Sequence, residues 1–168
     1  KQQIENIKSE PQGLLKISCP VNVGMQLVVP AINDFKRQYP KIDIDLQLSD
    51  EVIDIIKNGF DFAIRGVALS DSNLQATKLT TMSTCICGSP DYFAHFGKPK
   101  TPAQLSEHKW VVYQLGSKTL TLQKDGKKHN LTMQGGLRTN NAAARTAFVE
   151  AGHGIGRIPL YDAWPKVQ

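Results

Sequence analysis

Apolar and polar positions along this chain fall into blocks whose period switches between two and about 3.6, and the switching is most regular in the first 65 residues. Leu15, Ile17 and Cys19 alternate with Lys16 and Ser18, which predicts a short strand ending at Pro20. From about Val23 to Tyr39 the spacing becomes helical. At roughly 100° per residue, Met25, Leu27, Val28, Val29, Ala31, Ile32, Phe35 and Tyr39 occupy an apolar arc about 200° wide, with Gln26, Asn33, Asp34 and Arg37 on the narrow polar side. An arc that wide suits burial against the chain's own sheet plus a second surface. A subunit interface and a helix wedged between core elements both stand open. Pro30 interrupts the run and predicts a kink or a late helix start.

Pro40 ends that helix, and Ile42, Ile44, Leu46 and Leu48 then alternate without a break with Asp43, Asp45 and Gln47, the most regular strand signal in the chain. Ser49 or Asp50 is placed to cap a following helix, with Val52, Ile53, Ile55 and Ile56 facing the core, Lys57 in the last turn and Gly59 as the stop. Phe60, Phe62 and Ile64 alternate with Asp61, Ala63 and Arg65 in a third strand. Strand, helix, strand, helix, strand predicts right-handed crossovers and a parallel sheet. The ligand crevice of such a sheet lies beyond the carboxyl ends of its strands. Those ends carry 19–24, Ser49-Asp50 and Arg65-Gly66.

The second half repeats the scheme less regularly. The β-prone stretch from Gln75 to Gly88 exceeds one average strand, so a crossing between two lobes is expected within it. Ser89-Pro90 opens a helix carrying Tyr92, Phe93 and Phe96 that ends at Gly97, and a second small helix starts near Pro102. A strand from Trp110 to Tyr113 follows. Runs 119–123 and 129–133 flank the turn signal Asp125-Gly126 and predict a hairpin. Asn140-Asn141 caps an Ala-rich helix from Ala142 to Ala151, after which Gly152, Gly154 and Gly156 lead to Ile158 and Pro159.

Composition narrows the function classes. With 40% hydrophobic and 21% charged residues the chain suits a compact soluble fold. No segment reaches the apolar length of a membrane helix, and residues 1–12 carry no signal-peptide core, so a cytoplasmic location and no membrane partner are expected. The 20 Lys and Arg against 15 Asp and Glu give a net charge of +5. The one dense basic cluster, Lys124, Lys127, Lys128 and His129, surrounds the hairpin turn, where lysines commonly guard an edge. Gly-His-Gly-Ile-Gly follows a helix rather than a strand and lacks the Lys-Ser or Lys-Thr of a phosphate loop. The four histidines have no metal-ligand spacing, the three cysteines read as reduced thiols, and no catalytic constellation emerges. Neither enzyme activity, nor a metal, nor a cofactor is expected.

The segments GLLKISCPVNVGMQLVVP (13–30), FKRQYP (35–40), LSD (48–50), NGFDFAIRG (58–66), GSPDY (88–92), TPAQL (101–105) and AGHGIGRIP (151–159) stand in an order that resembles LysR-type transcriptional regulators. The resemblance covers nearly all of 13–167 and implies the C-terminal effector-binding domain: an α/β, two-lobed periplasmic-binding-protein-like (type 2) fold with a mixed sheet in each lobe. On that basis 1–12 is the end of a linker, 13–81 the first lobe, 82–161 the second, and 162–168 the start of a return to the first lobe whose closing segment is absent. The DNA-reading helix-turn-helix of such regulators would lie N-terminal to this chain.

The resemblance also implies a small, anionic effector in a cleft between the lobes. Its expected contacts are Pro20, Val21, Asn22, Ser49, Asp50, Arg65 and Gly66 from the first lobe, with Tyr113, Asn140, Asn141, Ile158 and Pro159 across it. Helix N-termini after Asn22, Asp50 and Asn140 would offer backbone N–H groups to a carboxylate, and Arg65 a bidentate fork; the alternative role for Arg65 is a structural ion pair with Asp61 or Asp50. A homodimer or homotetramer is implied, with Met25, Leu27, Val28, Ala31, Ile32 and Phe35 of one copy against Ala144 and Phe148 of another, and promoter DNA reached through the N-terminal domain. Cys19 stands where relatives carry a small residue. The competing readings are a periplasmic solute receptor on the same fold, an enzyme using Cys85 or Cys87 as nucleophile, and redox sensing by Cys19 at the cleft rim.

Overall fold

The computed structural model describes residues 10–51, 53–66 and 74–166, so Val52 and most of the expected linker end lie outside the described residues. The chain divides into two compact units, Lys1–Arg65 and Gly66–Gln168.

In the first unit, β1 (Gly13–Cys19) is the central strand of a parallel sheet in the order β2-β1-β3, with β2 at Ile42–Leu48 and β3 at Phe62–Ala63. Ile17 lies opposite Leu46 and Phe62, and Cys19 opposite Leu48. Ile17, Ser18 and Cys19 are all buried, as a central strand covered on both faces requires. The third strand is shorter than the alternation predicts. Its flanks still bond across: Asp61 N–H donates to the Lys16 carbonyl and Ile64 N–H to that of Ser18.

The expected helix begins earlier than predicted and is continuous through Pro30. It runs as α1 (Val21–Val23), a π turn (Gly24–Val28) and α2 (Val29–Gln38). Proline has no N–H to donate and its ring crowds the carbonyl four residues back, here that of Gln26. The wider turn just before it answers both problems, with Val29 N–H bonding the Gly24 carbonyl five back. At Gly24 any β-carbon would overlap the Leu48 side chain, so glycine lets the helix lie directly on β2. Lys36 then ties the helix end to the next strand by donating to the carbonyls of Pro40 and Ile42.

The helix expected after Asp50 is absent among the described residues. Asp54 takes its place as the organising residue of a series of turns. Its carboxylate accepts from Lys57 N–H, and its carbonyl accepts from both the backbone and the side chain of Asn58. Short polar side chains compete with helical bonding in this way. Gly59, at φ +67°, closes the turns. Ile53 and Ile55 are half-buried, but Ile56, expected to face the core, is 71% exposed.

The second unit contains three two-stranded pairings. Strands β4 (Thr84–Cys87) and β9 (Gly156–Pro159) are antiparallel, β5 (Val111–Tyr113) and β8 (Leu137–Thr139) parallel, and β6 (Thr119–Lys124) and β7 (Lys127–Thr132) form the hairpin. Of the long β-prone stretch only β4 is a strand; residues 74–83 are irregular. Asp125 (φ 49°) and Gly126 (φ 76°) both adopt the left-handed backbone that a two-residue hairpin turn demands. Helices α3 (Pro90–Phe96) and α5 (Ala142–Glu150) start at caps the sequence predicts, with Ser89 accepting from Tyr92 N–H and Asn141 from Ala144 N–H; α4 (Pro102–Glu107) starts at Thr101, which accepts from Gln104 N–H. A short α6 (Leu160–Ala163) follows β9.

Two clusters form the core of this unit. One gathers Tyr92, Trp110, Val112, Leu131, Met133 and Ile155, with the Trp110 indole N–H donating to the Leu105 carbonyl. The other gathers Val111, Val149, Ile158 and Ala163. Among the described residues no helix is long and apolar enough to cross a membrane.

Candidate functional site

The C-terminal edge of the first unit's parallel sheet collects most of the residues predicted for it. After Cys19 the chain turns at Pro20 into α1, and the first N–H of that helix, from Val21, donates to the Asp50 carboxylate at 2.9 Å. Ser49 N–H bonds the Cys19 carbonyl, and the Ser49 hydroxyl accepts from Glu51 N–H. Ser49 and Asp50 thus hold a loop against the start of α1 instead of capping a helix of their own. An internal carboxylate already sits where a helix N-terminus would receive an anion. Asn22 is buried within the unit and Gly66 is exposed.

Arg65 lies on the same edge, half-buried, donating to the Ser18 hydroxyl at 2.7 Å and to the Ile64 carbonyl at 3.1 Å. It forms no ion pair with Asp61 or Asp50 among the described residues; Asp61 instead accepts from Lys16 N–H. Burial lowers the pKa of the Arg65 guanidinium, and the nearby Cys19 and Asp50 oppose that shift. Cys19 is fully buried, not on a rim, and burial raises its thiol pKa while Arg65 lowers it. Ser18 was missed by pattern reading. Its hydroxyl is the anchor of Arg65, and its position in an alternating strand marks it only as polar.

In the second unit Tyr113, Asn140 and Asn141 come together at the C-terminal ends of β5 and β8, where Tyr113 pairs with Thr139 and Gln114 N–H bonds the Thr139 carbonyl. Thr139 Oγ1 accepts from Asn141 N–H at 3.0 Å. Asn140 is exposed, while Asn141 is committed to capping α5. Arg145, unmarked by pattern and 5% exposed, places its guanidinium carbon 5.3 Å from the Tyr113 ring centroid. Beside it Thr146 donates to Asp162 at 2.7 Å, both buried. Ile158 is buried in the second core cluster, and Pro159 is half-buried. This unit also has a cavity of about 350 Å³ by Val112, Lys118, Met133 and Arg138, and a more open one of about 600 Å³ by Pro102, Ser106, His129 and Leu131. Neither involves the expected residues.

Of the interface residues predicted on the first helix, Met25 and Leu27 are 58% and 44% exposed and Ala31 is exposed. Ile32 and Phe35 are half-buried, with the Phe35 ring tilted against that of Tyr39. Val28 is buried in its own unit, so it is withdrawn from any outer face. On α5, Ala144 and Phe148 are half-buried, and Phe148 packs on the second core cluster.

Comparisons with known proteins agree with this architecture. The family model described as LysR substrate binding domain matches residues 8–168. An HTH-type transcriptional regulator of Xanthomonas campestris pv. campestris is 35% identical over 127 residues, 76% of this chain and 34% of that protein. The HTH-type transcriptional activator AaeR of Escherichia coli K12 is 28% identical over 161 residues, 95% of this chain and 52% of that protein. The chain therefore spans between a third and about half the length of these relatives. Among solved structures, the regulatory domain of CrgA, a LysR-type transcriptional regulator from Neisseria meningitidis, superposes with a TM-score of 0.82 at 23% identity, covering 93% of this chain and 77% of that one. The α/β, periplasmic-binding-protein-like fold expected from the sequence is the fold of these regulatory domains. With its parallel sheet edge, capped α5 and matched span, this chain belongs to the LysR substrate-binding domain family.

Proposed function

We propose that this chain is the effector-sensing and oligomerisation part of a cytoplasmic LysR-type transcriptional regulator, and that it binds a small organic anion whose occupancy is passed to a DNA-bound N-terminal domain. The observation that carries the reading is Arg65: a half-buried cation at the carboxyl edge of a parallel sheet, oriented by Ser18 and engaged in no ion pair among the described residues. A fork held this way suits bidentate capture of a carboxylate. Pro20, Val21, Asn22, Ser49, Asp50 and Gly66 would shape its surroundings. Tyr113, Asn140, Asn141, Ile158 and Pro159 are the corresponding candidates within the second unit. A ligand shifts such a regulator only through unequal affinity for its conformations.

Sensing rather than catalysis is the reading we favour, since the relatives are regulators and Cys87, a candidate nucleophile, is poorly suited to the role. Burial and the Cys85 hydrogen bond push its thiol up to about 12, the opposite of what an attacking thiolate needs. Oligomerisation is supported by the exposed apolar residues Met25, Leu27 and Ala31, which would meet Ala144 and Phe148 of a second copy in a homodimer or homotetramer.

A thermal-shift and calorimetric screen against small mono- and dicarboxylates tests the reading. At least one acid is expected to stabilise the chain, and Arg65→Met to abolish that response while the protein stays folded. Absence of any shift across the acids, or an undiminished response in the variant, would sink the anion assignment.

A further inference from the structure

Cys85 and Cys87 stand two apart on β4, so both side chains leave the same face of the strand. Their sulfurs are 3.2 Å apart, and the Cys85 sulfur lies 3.6 Å from the Ile158 carbonyl oxygen. Both are half-buried beside the core cluster of Val111, Val149, Ile158 and Ala163. Two residues of strand separate α-carbons by about 6.6 Å, near the long end of the range of about 4.4–6.8 Å that a disulfide spans. A direct sulfur–sulfur bond would therefore pull both side chains inward. An atom bound by both sulfurs uses their separation as it stands. No third metal-ligating side chain joins them among the described residues, which leaves a two-sulfur chelate.

We propose that Cys85 and Cys87 form a dithiol site for a thiophilic centre that takes two sulfur ligands, with trivalent organoarsenicals, R–As(OH)₂, as the chemical class. The reaction is a ligand exchange. Two As–O bonds break, two As–S bonds form, and each thiol proton leaves with a departing hydroxide as water, so arsenic remains trivalent and nothing is oxidised or reduced. Once one sulfur is bound, ring closure by the other is intramolecular. Arg145 favours a developing negative charge on Cys87, and Asp162 opposes it. Across the ladder, Cys85 faces Ile158 and Cys87 faces Gly156, so a bound arsenical would load the β4–β9 pair directly. This inference does not depend on the effector assignment above.

The probe is phenylarsine oxide added to the folded chain, read by intact-mass spectrometry. A single phenylarsenic adduct is expected that survives excess 2-mercaptoethanol and is removed by dithiothreitol. Cys85→Ser and Cys87→Ser are each expected to release it about 100-fold faster, as loss of one arm of a chelate predicts. Cys19→Ser should leave release unchanged. As a check that needs no variant, the loaded wild-type chain is alkylated after denaturation under conditions that keep the adduct. The peptide carrying Cys85 and Cys87 is expected to stay unmodified while Cys19 is alkylated. An adduct stripped by monothiol, alkylation of Cys85 or Cys87 in the loaded chain, or retention that follows Cys19 would overturn the proposal.

Discussion

The Asp50 carboxylate accepts a hydrogen bond from the Val21 backbone N–H across 29 positions of sequence. It serves as a cap supplied from a distant loop, and its charge also acts on Arg65. Asp50→Ala is expected to lower stability by about 1 kcal/mol, the usual worth of a helix cap, and to tighten binding of a small carboxylate by removing a competing anion. Denaturant unfolding and calorimetric titration check the two effects separately. Weakened anion binding would place Asp50 among the ligand contacts rather than against them.

Leu27 and Val28 are neighbours with opposite fates, one 44% exposed and the other buried. Leu27→Glu is expected to leave stability within about 0.5 kcal/mol of the wild type while reducing the sedimenting mass to that of one chain. Val28→Asp should instead unfold the first unit. A Leu27→Glu protein of unchanged mass would remove the outer helix face from the interface.

Gly135 and Gly136 provide a paired test of packing around Trp110. A β-carbon at Gly135 would overlap the Trp110 carbonyl, whereas one at Gly136 meets nothing within 4 Å. Gly135→Ala is expected to cost about 1–3 kcal/mol, as forced overpacking does. Gly136→Ala should change stability by no more than about 0.5 kcal/mol. Comparable losses at both positions, measured by urea unfolding, would refute the close approach.

The thiol of Cys87 sets a pH dependence. The folded chain keeps its proton up to about pH 12, whereas the unfolded thiol releases it near 9.0. The native state thus binds more protons in that interval, and its stability falls as pH rises through it. Below the interval the contribution is fully present. Cys87→Ser should flatten the decline relative to the wild type in unfolding curves taken across this alkaline range, and an unchanged slope would show that the thiol is not protected by the fold.

Local chemistry made much of this fold legible. The alternation in β1 and β2 marks both as strands, Asp125-Gly126 supplies the left-handed turn, and Ser89 and Asn141 each cap the helix that follows them. Those signals act over a few residues and survive in any context. The helix after Asp50 was misjudged because Asp54 offers the backbone nearby bonds that compete with helical ones. The sites themselves were harder to see. Residue type and topology bring Arg65 and Asp50 to one sheet edge, but the partnerships of Arg65 with Ser18 and of Asp50 with Val21 join distant segments. Arg145 reads as one charge in an alanine-rich helix, and nothing in its neighbours announces that it is buried against Tyr113. For Cys85 and Cys87, period two already implies a shared face, while the approach of the sulfurs is a side-chain matter.

The π turn at Gly24–Val28 inserts a phase shift into the first helix. One additional residue in a turn rotates everything downstream by about 100° around the axis. The apolar stripe before it and the stripe after it therefore cannot be continued into each other on a regular helical wheel. Which of Ala31, Ile32 and Phe35 point outward is decided at Gly24–Val28, a full turn before those residues occur. Loss of one residue there would keep every side chain's chemistry and re-aim the whole outer surface, so the helix carries its orientation as a count rather than as a composition.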